Sequence, residues 1–324
     1  MKDSFGREID YLRLSVTDRC NLRCVYCMGE EGVEWKPHCE MLSFEELERL
    51  CFLFSELGIK KIKITGGEPL VKKGVVPFIA RVRHIPGITD VTLTTNGVLL
   101  EYYLDELAEA GVSSVNVSLD SLDRRTFQRL SGRDEFDRVY GAIQAAVRKN
   151  FRVKINAVLL RGLNDAGIED FALFARDNEV SVRFIELMPL GTVSAYEMVP
   201  TGEVLEKISR VIKGLTPVSE PQGNGPAVYY AAPDMKGKIA FISAMSSCFC
   251  ATCTRLRLDS LGRLKPCLSS GLSRDLKALV RGGADNGALK EAIRETARLK
   301  PHAHIFADRT NAALRDTAMS KIGG

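Results

Sequence analysis

The sequence predicts an α/β fold: an incomplete, partly open barrel of six βα units, with a smaller α+β C-terminal part. Three observations predict it. Six short β-like runs alternate with amphipathic helical segments. Each of the first five runs carries one apolar face and one polar, partly cationic face. Near residue 212 the composition changes, and GLTPVSEPQGNGP, rich in Pro and Gly, reads as a linker or irregular loop. We therefore divide the chain into residues 1–212 and 213–324.

The six runs are YLRLSVT (11–17), KIKITGG (61–67), DVTLTTNG (90–97), SSVNVSLD (113–120), RVKINAVLL (152–160) and SVRFIEL (181–187). The clearest helix is SFEELERLCFLFSELG. Ser43 and Glu46 form a capping box, Leu47, Leu50, Phe54 and Leu57 make one stripe, and Gly58 ends it. EYYLDELAEAG, EFDRVYGAIQAAVRKN and GIEDFALFARDN are further helices. The C-terminal part offers the strands VYYAAP, KIAFIS and RLRLDS, then helices near 273–282 and 284–299.

Side chains alternate faces along a strand. Leu12, Leu14 and Val16 oppose Arg13, Ser15 and Thr17; Ile62 and Ile64 oppose Lys63 and Thr65. Val91 and Leu93 oppose Thr92, Thr94 and Asn96; Val115, Val117 and Leu119 oppose Asn116, Ser118 and Asp120. Val153, Ile155 and Ala157 oppose Lys154 and Asn156, while the sixth run puts Arg183 on one face and Glu186 on the other. A closed eight-stranded barrel fills its interior with apolar side chains. Here the inner face is polar, so the concave side is expected to hold a wet cavity for an anionic ligand. An antiparallel sheet with one wet face is the plainer alternative, and the intervening helices disfavour it.

The formal charge of +4 across 324 residues demands neither nucleic acid nor an acidic membrane, and no aromatic-basic stripe suggests RNA. No apolar run is long enough to span a bilayer, and the N-terminus lacks a secretory apolar core. A cytoplasmic location is expected, where nine cysteines point to metal, catalysis or burial rather than disulfides.

Cys20, Cys24 and Cys27 form CxxxCxxC directly after the first strand. Three thiolates this close can hold three corners of an iron–sulfur cluster and leave one iron open. Zinc would ask for a fourth ligand, which is not obvious. Tyr26, just before the last cysteine, is placed to pack over an adenine. Cys250, Cys253 and Cys267 form a second triad around RLRLDSLGRLKP. A zinc ribbon completed by Cys248, His302 or His304 is one reading. A second three-cysteine cluster is the other, with Arg255 and Arg257 on one strand face as an anion clamp.

The CxxxCxxC fingerprint and TGGEP (Thr65 to Pro69) resemble the radical S-adenosylmethionine (SAM) superfamily. With TLTTNG, VNVSLDSLD, VKINAVLLRGLND, VRFIELMPLG, CxxCTRLRLDSLGRLKPCL and a terminal GG, nearly the whole chain resembles the GTP 3′,8-cyclase family of molybdenum cofactor biosynthesis. The resemblance implies a lyase with two 4Fe–4S clusters. Cys20, Cys24 and Cys27 would hold the first, and Tyr26, Gly67, Ser118, Arg183 and Met188 would contact SAM. Cys250, Cys253 and Cys267 would hold the second. Arg13, Lys63, Thr94, Lys154, Arg255, Leu256 and Arg257 would contact GTP, and the Gly323–Gly324 tail would enter the active site. Arg13, Lys154, Arg255 and Arg257 would serve the reaction itself. The implied reaction removes the ribose 3′ hydrogen and joins C3′ to guanine C8, giving 3′,8-cyclo-7,8-dihydro-GTP. It also implies a one-electron donor, a downstream cyclic pyranopterin synthase and a homodimer. Lys63 stands where the family often has Arg, and Cys248 where proline is common; we expect Cys248 to be a bystander. A peptide-modifying radical SAM enzyme with an auxiliary cluster is the alternative, but such enzymes usually carry more C-terminal cysteines and no RLRL between them.

Overall fold

The computed structural model describes residues 1–28, 35–191, 193–218, 225–306 and 319. All six predicted strands form: β1 (Tyr11–Ser15), β2 (Lys61–Thr65), β3 (Asp90–Thr95), β4 (Ser114–Ser118), β5 (Arg152–Leu159) and β6 (Val180–Glu186). They pair in parallel, in chain order. The C-terminal segment adds β7 (Thr216–Pro217), β8 (Val228–Ala231), β9 (Lys238–Ile242), β10 (Arg255–Leu258), β11 (Arg263–Lys265) and β12 (Arg274–Asp275). Its strands extend the same sheet at both ends: β10 pairs in parallel with β1, and β9 in parallel with β6. The result is one twelve-stranded sheet, β12-β11-β10-β1-β2-β3-β4-β5-β6-β9-β8-β7, open between its outermost strands among the described residues. β7 falls within the expected linker, where Thr216 opposes Ala231.

Helices cover the apolar face. α1 (Val25–Met28) is a single turn carrying Cys27, with Cys24 just before it. α2 (Phe44–Glu56) has the predicted capping box: Ser43 Oγ accepts from Glu46 N at 3.2 Å, and Ser43 N donates to Glu46 Oε2 at 2.7 Å. Gly58 follows with φ +92°, a left-handed conformation that suits glycine. α4 (Leu100–Glu109), α6 (Phe136–Arg148) and α7 (Ile168–Asp177) match the other predicted segments. Three helices are additional: α3 (Val75–Arg83), α5 (Arg124–Ser131) and α8 (Thr201–Val211). α3 tolerates Pro77 because it lies in the first turn, where no intrahelical donor is lost. α9 (Leu276–Arg281) and α10 (Asn286–Arg298) close the C-terminal part.

The core lies between sheet and helices. Leu12, Leu14, Ile62, Ile64, Leu93, Val115, Val117, Ile155 and Val182 pack there against Leu50, Phe54, Phe78, Leu104, Ile143 and Phe171. Burying such side chains stabilises by roughly 1.5–3 kcal/mol each, which fixes the strand register. The ambiguous strand β6 is resolved: Val182 and Phe184 join this core, while Arg183 and Ile185 face the other side. No helix among the described residues is long and apolar enough to cross a membrane.

Candidate active site

The inner face of the curled sheet encloses a cavity of about 580 Å³, lined by residues of every strand from β10 through β1 to β6 and on to β9 and β8. It is strongly cationic. Arg13, Lys61, Lys63, Arg83, Arg152, Lys154, Arg183, Arg255 and Arg257 line it, with Asp90 and Asp120 as the acids among the described lining residues. The register explains the density of charge. Tyr11 is level with Arg255 and Lys61, and Arg13 with Arg257 and Lys63, so cations from three neighbouring strands stand side by side.

Burial, then the Arg183, Arg13 and Lys154 charges, pushes Lys63 well below the usual lysine range. Burial, with Arg183 and Arg152 assisting, lowers Lys154 to about 8. Burial likewise disfavours the charges on Arg13, Arg183 and Arg257. So many crowded cations favour a polyanionic ligand, which would restore their charges. Asn116, on β4, keeps a buried Oδ1 with no hydrogen-bond partner, while its Nδ2 donates to Thr94 Oγ1 at 3.3 Å. An unsatisfied buried acceptor in a polar cavity marks a place for a ligand donor. Arg183 Nε donates to Asn156 Oδ1 at 2.8 Å, which fixes the guanidinium against β5.

All three cysteines of the first motif reach this cavity. The Cys27 amide donates to Cys24 O at 2.9 Å, the turn that brings the two thiols to one side. Cys20 Sγ accepts from Leu22 N at 3.4 Å and Asn96 Nδ2 at 3.5 Å, as suits a thiolate ligand. Burial raises the Cys20 and Cys24 thiols, so their anions require a bound cation. The donor set thus fits an iron–sulfur cluster held by three thiolates.

TGGEP packs directly on the cysteine loop. Gly67 N donates to Thr17 O and Glu68 N to Arg19 O, both at 2.7 Å. A Cβ on Gly67 would lie 2.3 Å from Arg19 O, so only glycine permits this approach. Glu68 is fully buried and accepts from Thr95 Oγ1 at 2.8 Å, Asn96 N at 2.6 Å and Leu70 N at 3.0 Å. Burial pushes its carboxyl up to about 7. Glu68 thereby positions Asn96, which touches Cys20. Sequence reasoning placed Asn96 on the polar strand face and Glu68 within TGGEP, but assigned neither a role.

The residues expected to meet SAM, namely Tyr26, Gly67, Ser118, Arg183 and Met188, line the same cavity. Tyr26 is tied down: its hydroxyl donates to Asp120 Oδ2 at 2.7 Å, and Asp120 Oδ1 accepts from Val158 N at 2.8 Å. Burial raises Asp120 to about 6. The residues expected to meet GTP also line it, with one difference. Leu256 is fully buried in the core, because alternation along β10 turns it away from Arg255 and Arg257. Gly323 and Gly324 lie outside the described residues. Met319 is described, lines the cavity, and packs with Met188, Leu190, Met245, Leu268 and Phe306.

The second cysteine triad lies outside the lining, with Cys250 and Cys253 just before β10 and Cys267 just after β11. Arg255 connects the two, lining the cavity while its Nε donates to Cys253 Sγ at 3.4 Å. Lys300 is buried and donates to Arg255 O at 2.7 Å and Pro266 O at 2.9 Å, bracketing Cys253 and Cys267. Burial works against the Cys253 thiolate, but Arg255 and Lys300 outweigh it and bring the thiol down to about 6. Cys51 is buried in α2 as expected, and Cys39 is exposed.

Comparison with known proteins agrees with this geometry. The profile of the Radical SAM superfamily matches residues 14–175, half of the chain. That of Molybdenum Cofactor Synthesis C matches residues 180–306 and so begins at β6. Streptococcus suis SuiB shares the fold at a TM-score of 0.57 and 18% identity, over 89% of this chain and 68% of that one. The fold and the three-cysteine loop thus define a radical SAM protein. Two curated relatives are each called GTP 3′,8-cyclase: one from Pelotomaculum thermopropionicum, 45% identical, and one from Thermodesulfovibrio yellowstonii, 44% identical. Each match covers all of both chains. The chain belongs to the GTP 3′,8-cyclase family of the radical SAM superfamily.

Proposed function

We propose that this enzyme is a radical SAM cyclase that converts GTP to 3′,8-cyclo-7,8-dihydro-GTP, a lyase opening molybdenum cofactor biosynthesis. One observation carries the substrate assignment beyond the family relationship: the cationic cavity that also receives the CxxxCxxC loop. A purine triphosphate matches both its charge and its unsatisfied Asn116 acceptor, since a guanine amide or amino group is a donor.

Cys20, Cys24 and Cys27 would hold one 4Fe–4S cluster, and Cys250, Cys253 and Cys267 another. The first cluster with SAM supplies, on one-electron reduction, the radical that removes the ribose 3′ hydrogen. Everything else falls to the chain. Gly67, Tyr26, Ser118, Arg183 and Met188, which line the cavity beside the cysteine loop, would contact SAM, with Gly67 leaving room for close backbone approach. Arg13, Lys63, Thr94, Lys154 and Arg257 hold the triphosphate and ribose, while Arg255 sets the base towards the second triad. Leu256 would contribute only backbone. Residues 1–212 provide the SAM site, and residues 213–324 the second triad, much of the GTP site and the Gly323–Gly324 tail. We further infer a cytoplasmic homodimer whose product passes to a cyclic pyranopterin synthase.

Anaerobic incubation of the iron-reconstituted protein with SAM, dithionite and GTP tests the reading. The expected products by mass analysis are 5′-deoxyadenosine and cyclised GTP. Deoxyadenosine formed while GTP stays intact would overturn the substrate assignment.

A further inference from the structure

Cys248 has no part in the proposed reaction, yet it is not isolated. Its thiol, the Cys250 thiol and a His304 ring nitrogen lie within 4.8 Å of one another. We propose that these three side chains form a binding site for a single soft divalent cation, zinc above all, which shares Cys250 with the second cluster and excludes it.

The backbone explains how a CFC sequence brings both sulfurs together. In an extended strand Cys248 and Cys250 would be separated by a full pleat. Phe249, however, has φ −99° and ψ 18°, and Cys250 opens a 3-10 turn, so the chain curls around Phe249. The Cys250 carbonyl accepts from Arg7 at 2.7 Å, which holds the turn in place. His304 is oriented too. One ring nitrogen, Nε2, is 2.7 Å from Ala244 O. A carbonyl can only accept, so Nε2 carries the proton and Nδ1 keeps the lone pair, which takes one long hydrogen bond from Phe306 N at 3.4 Å that a metal would displace. This is the arrangement in which a metal-binding histidine is held by its outer nitrogen.

The distances suit one ion. Zinc binds sulfur at about 2.3 Å and nitrogen at about 2.0–2.1 Å, so its ligands stand roughly 3.5–4 Å apart around one centre. Cluster cysteines instead hold separate irons and are more widely spread. Binding would release the two thiol protons and leave a fourth position for water. Cys248 is exposed, which gives the ion an entry path. Because the Cys250 sulfur is needed by both occupants, zinc here blocks assembly of the second cluster. That exclusion rests on reading Cys250 as a cluster ligand; the ion site does not.

The test has two arms. In the first, cobalt(II) is titrated anaerobically into full-length, iron-free protein in which Cys20, Cys24 and Cys27 are all replaced by serine, so that the first triad cannot take the ion. We expect the intense visible bands of tetrahedral cobalt with thiolate ligands, saturating at about one ion per chain. Cys248→Ser should abolish them. His304→Gln, whose amide can still reach Ala244 O, should weaken binding at least about tenfold. Cys267→Ser, in the second triad but outside the ion site, should leave them intact. Absence of these bands, or their survival in both variants, overturns the site. In the second arm, zinc is added before iron–sulfur reconstitution. Iron should fall from about eight to about four per chain in the parent and stay near eight in Cys248→Ser. An equal fall in both overturns the exclusion. Iron near four without any zinc would instead count against the second cluster, and the cobalt arm would still decide the ion site.

Discussion

Lys154 reaches the cavity from β5 among Arg183, Arg152 and Asp90, and burial lowers it to about 8. A triphosphate binds its charged form. GTP affinity should therefore hold below pH 8 and fall as pH rises through that value, about three- to tenfold between pH 7 and 9. Calorimetric titration at several pH values checks this, and Lys154→Met should flatten the slope. Arg257 is a second residue with a one-sided role, since it stands level with Arg13 and close to the charges of Arg255 and of Cys267 and Cys253 in the second triad. Arg257→Ala should lower kcat/KM for GTP by about ten- to a hundredfold with little change in SAM binding. Equal loss of both would count against the clamp. Gly67 is constrained by space rather than charge. Gly67→Ala should displace the Arg19 carbonyl and the cysteine loop, cost roughly 1–3 kcal/mol, and remove iron from the first site. Iron analysis and thermal melting would read both effects. These residues were legible in the sequence because alternation along the strand put Arg13, Lys63, Thr94 and Lys154 on one face before any coordinates. Asn116, Asn156 and Asp120 stood on the same face, yet their roles depend on partners from other strands.

At the scale of elements, Glu186 ends β6 and gathers five backbone and side-chain donors from two segments. It accepts from Thr201 N at 3.1 Å and Oγ1 at 3.0 Å, from Met245 N at 2.8 Å and from Ser246 N at 2.9 Å, with the Ser246 hydroxyl also bound. A carboxylate at the first turn of α8 also complements the helix dipole. The same residue thus fixes the start of α8 and the loop that leads into the second cysteine triad. Glu186→Ala should cost roughly 2–4 kcal/mol and speed hydrogen exchange through residues 244–250, with less effect on the first cysteine loop. Unchanged exchange there would show that the latch is dispensable. The strands and long helices were readable because period-2 and period-3.6 patterns are local. β7, β11 and β12 were not, since two or three residues carry no period and form only against a partner strand.

For the whole molecule, the N-terminal segment is clasped to the C-terminal part of the chain. Arg7 pairs with Asp3 at 2.5 Å and donates to Cys250 O at 2.7 Å, Pro301 O at 2.7 Å and His302 O at 3.2 Å. Removing a buried charge from such a pair costs about 3–5 kcal/mol. Arg7→Ala should therefore lower thermal stability and loosen the second triad before the first, which separate iron analysis of the two sites by cysteine variants would reveal. The polar strand faces, the two cysteine motifs and the family resemblance were set by the sequence alone, because strand alternation and ligand spacing are properties of neighbouring residues. Tertiary structure decided the rest. It placed β10 beside β1 and β9 beside β6, so that residues more than two hundred positions apart line one cavity. It also turned Leu256 into the core and brought Cys248 to His304. Those outcomes depend on which strand edges meet and how one turn curls, and no local pattern encodes contacts between distant segments.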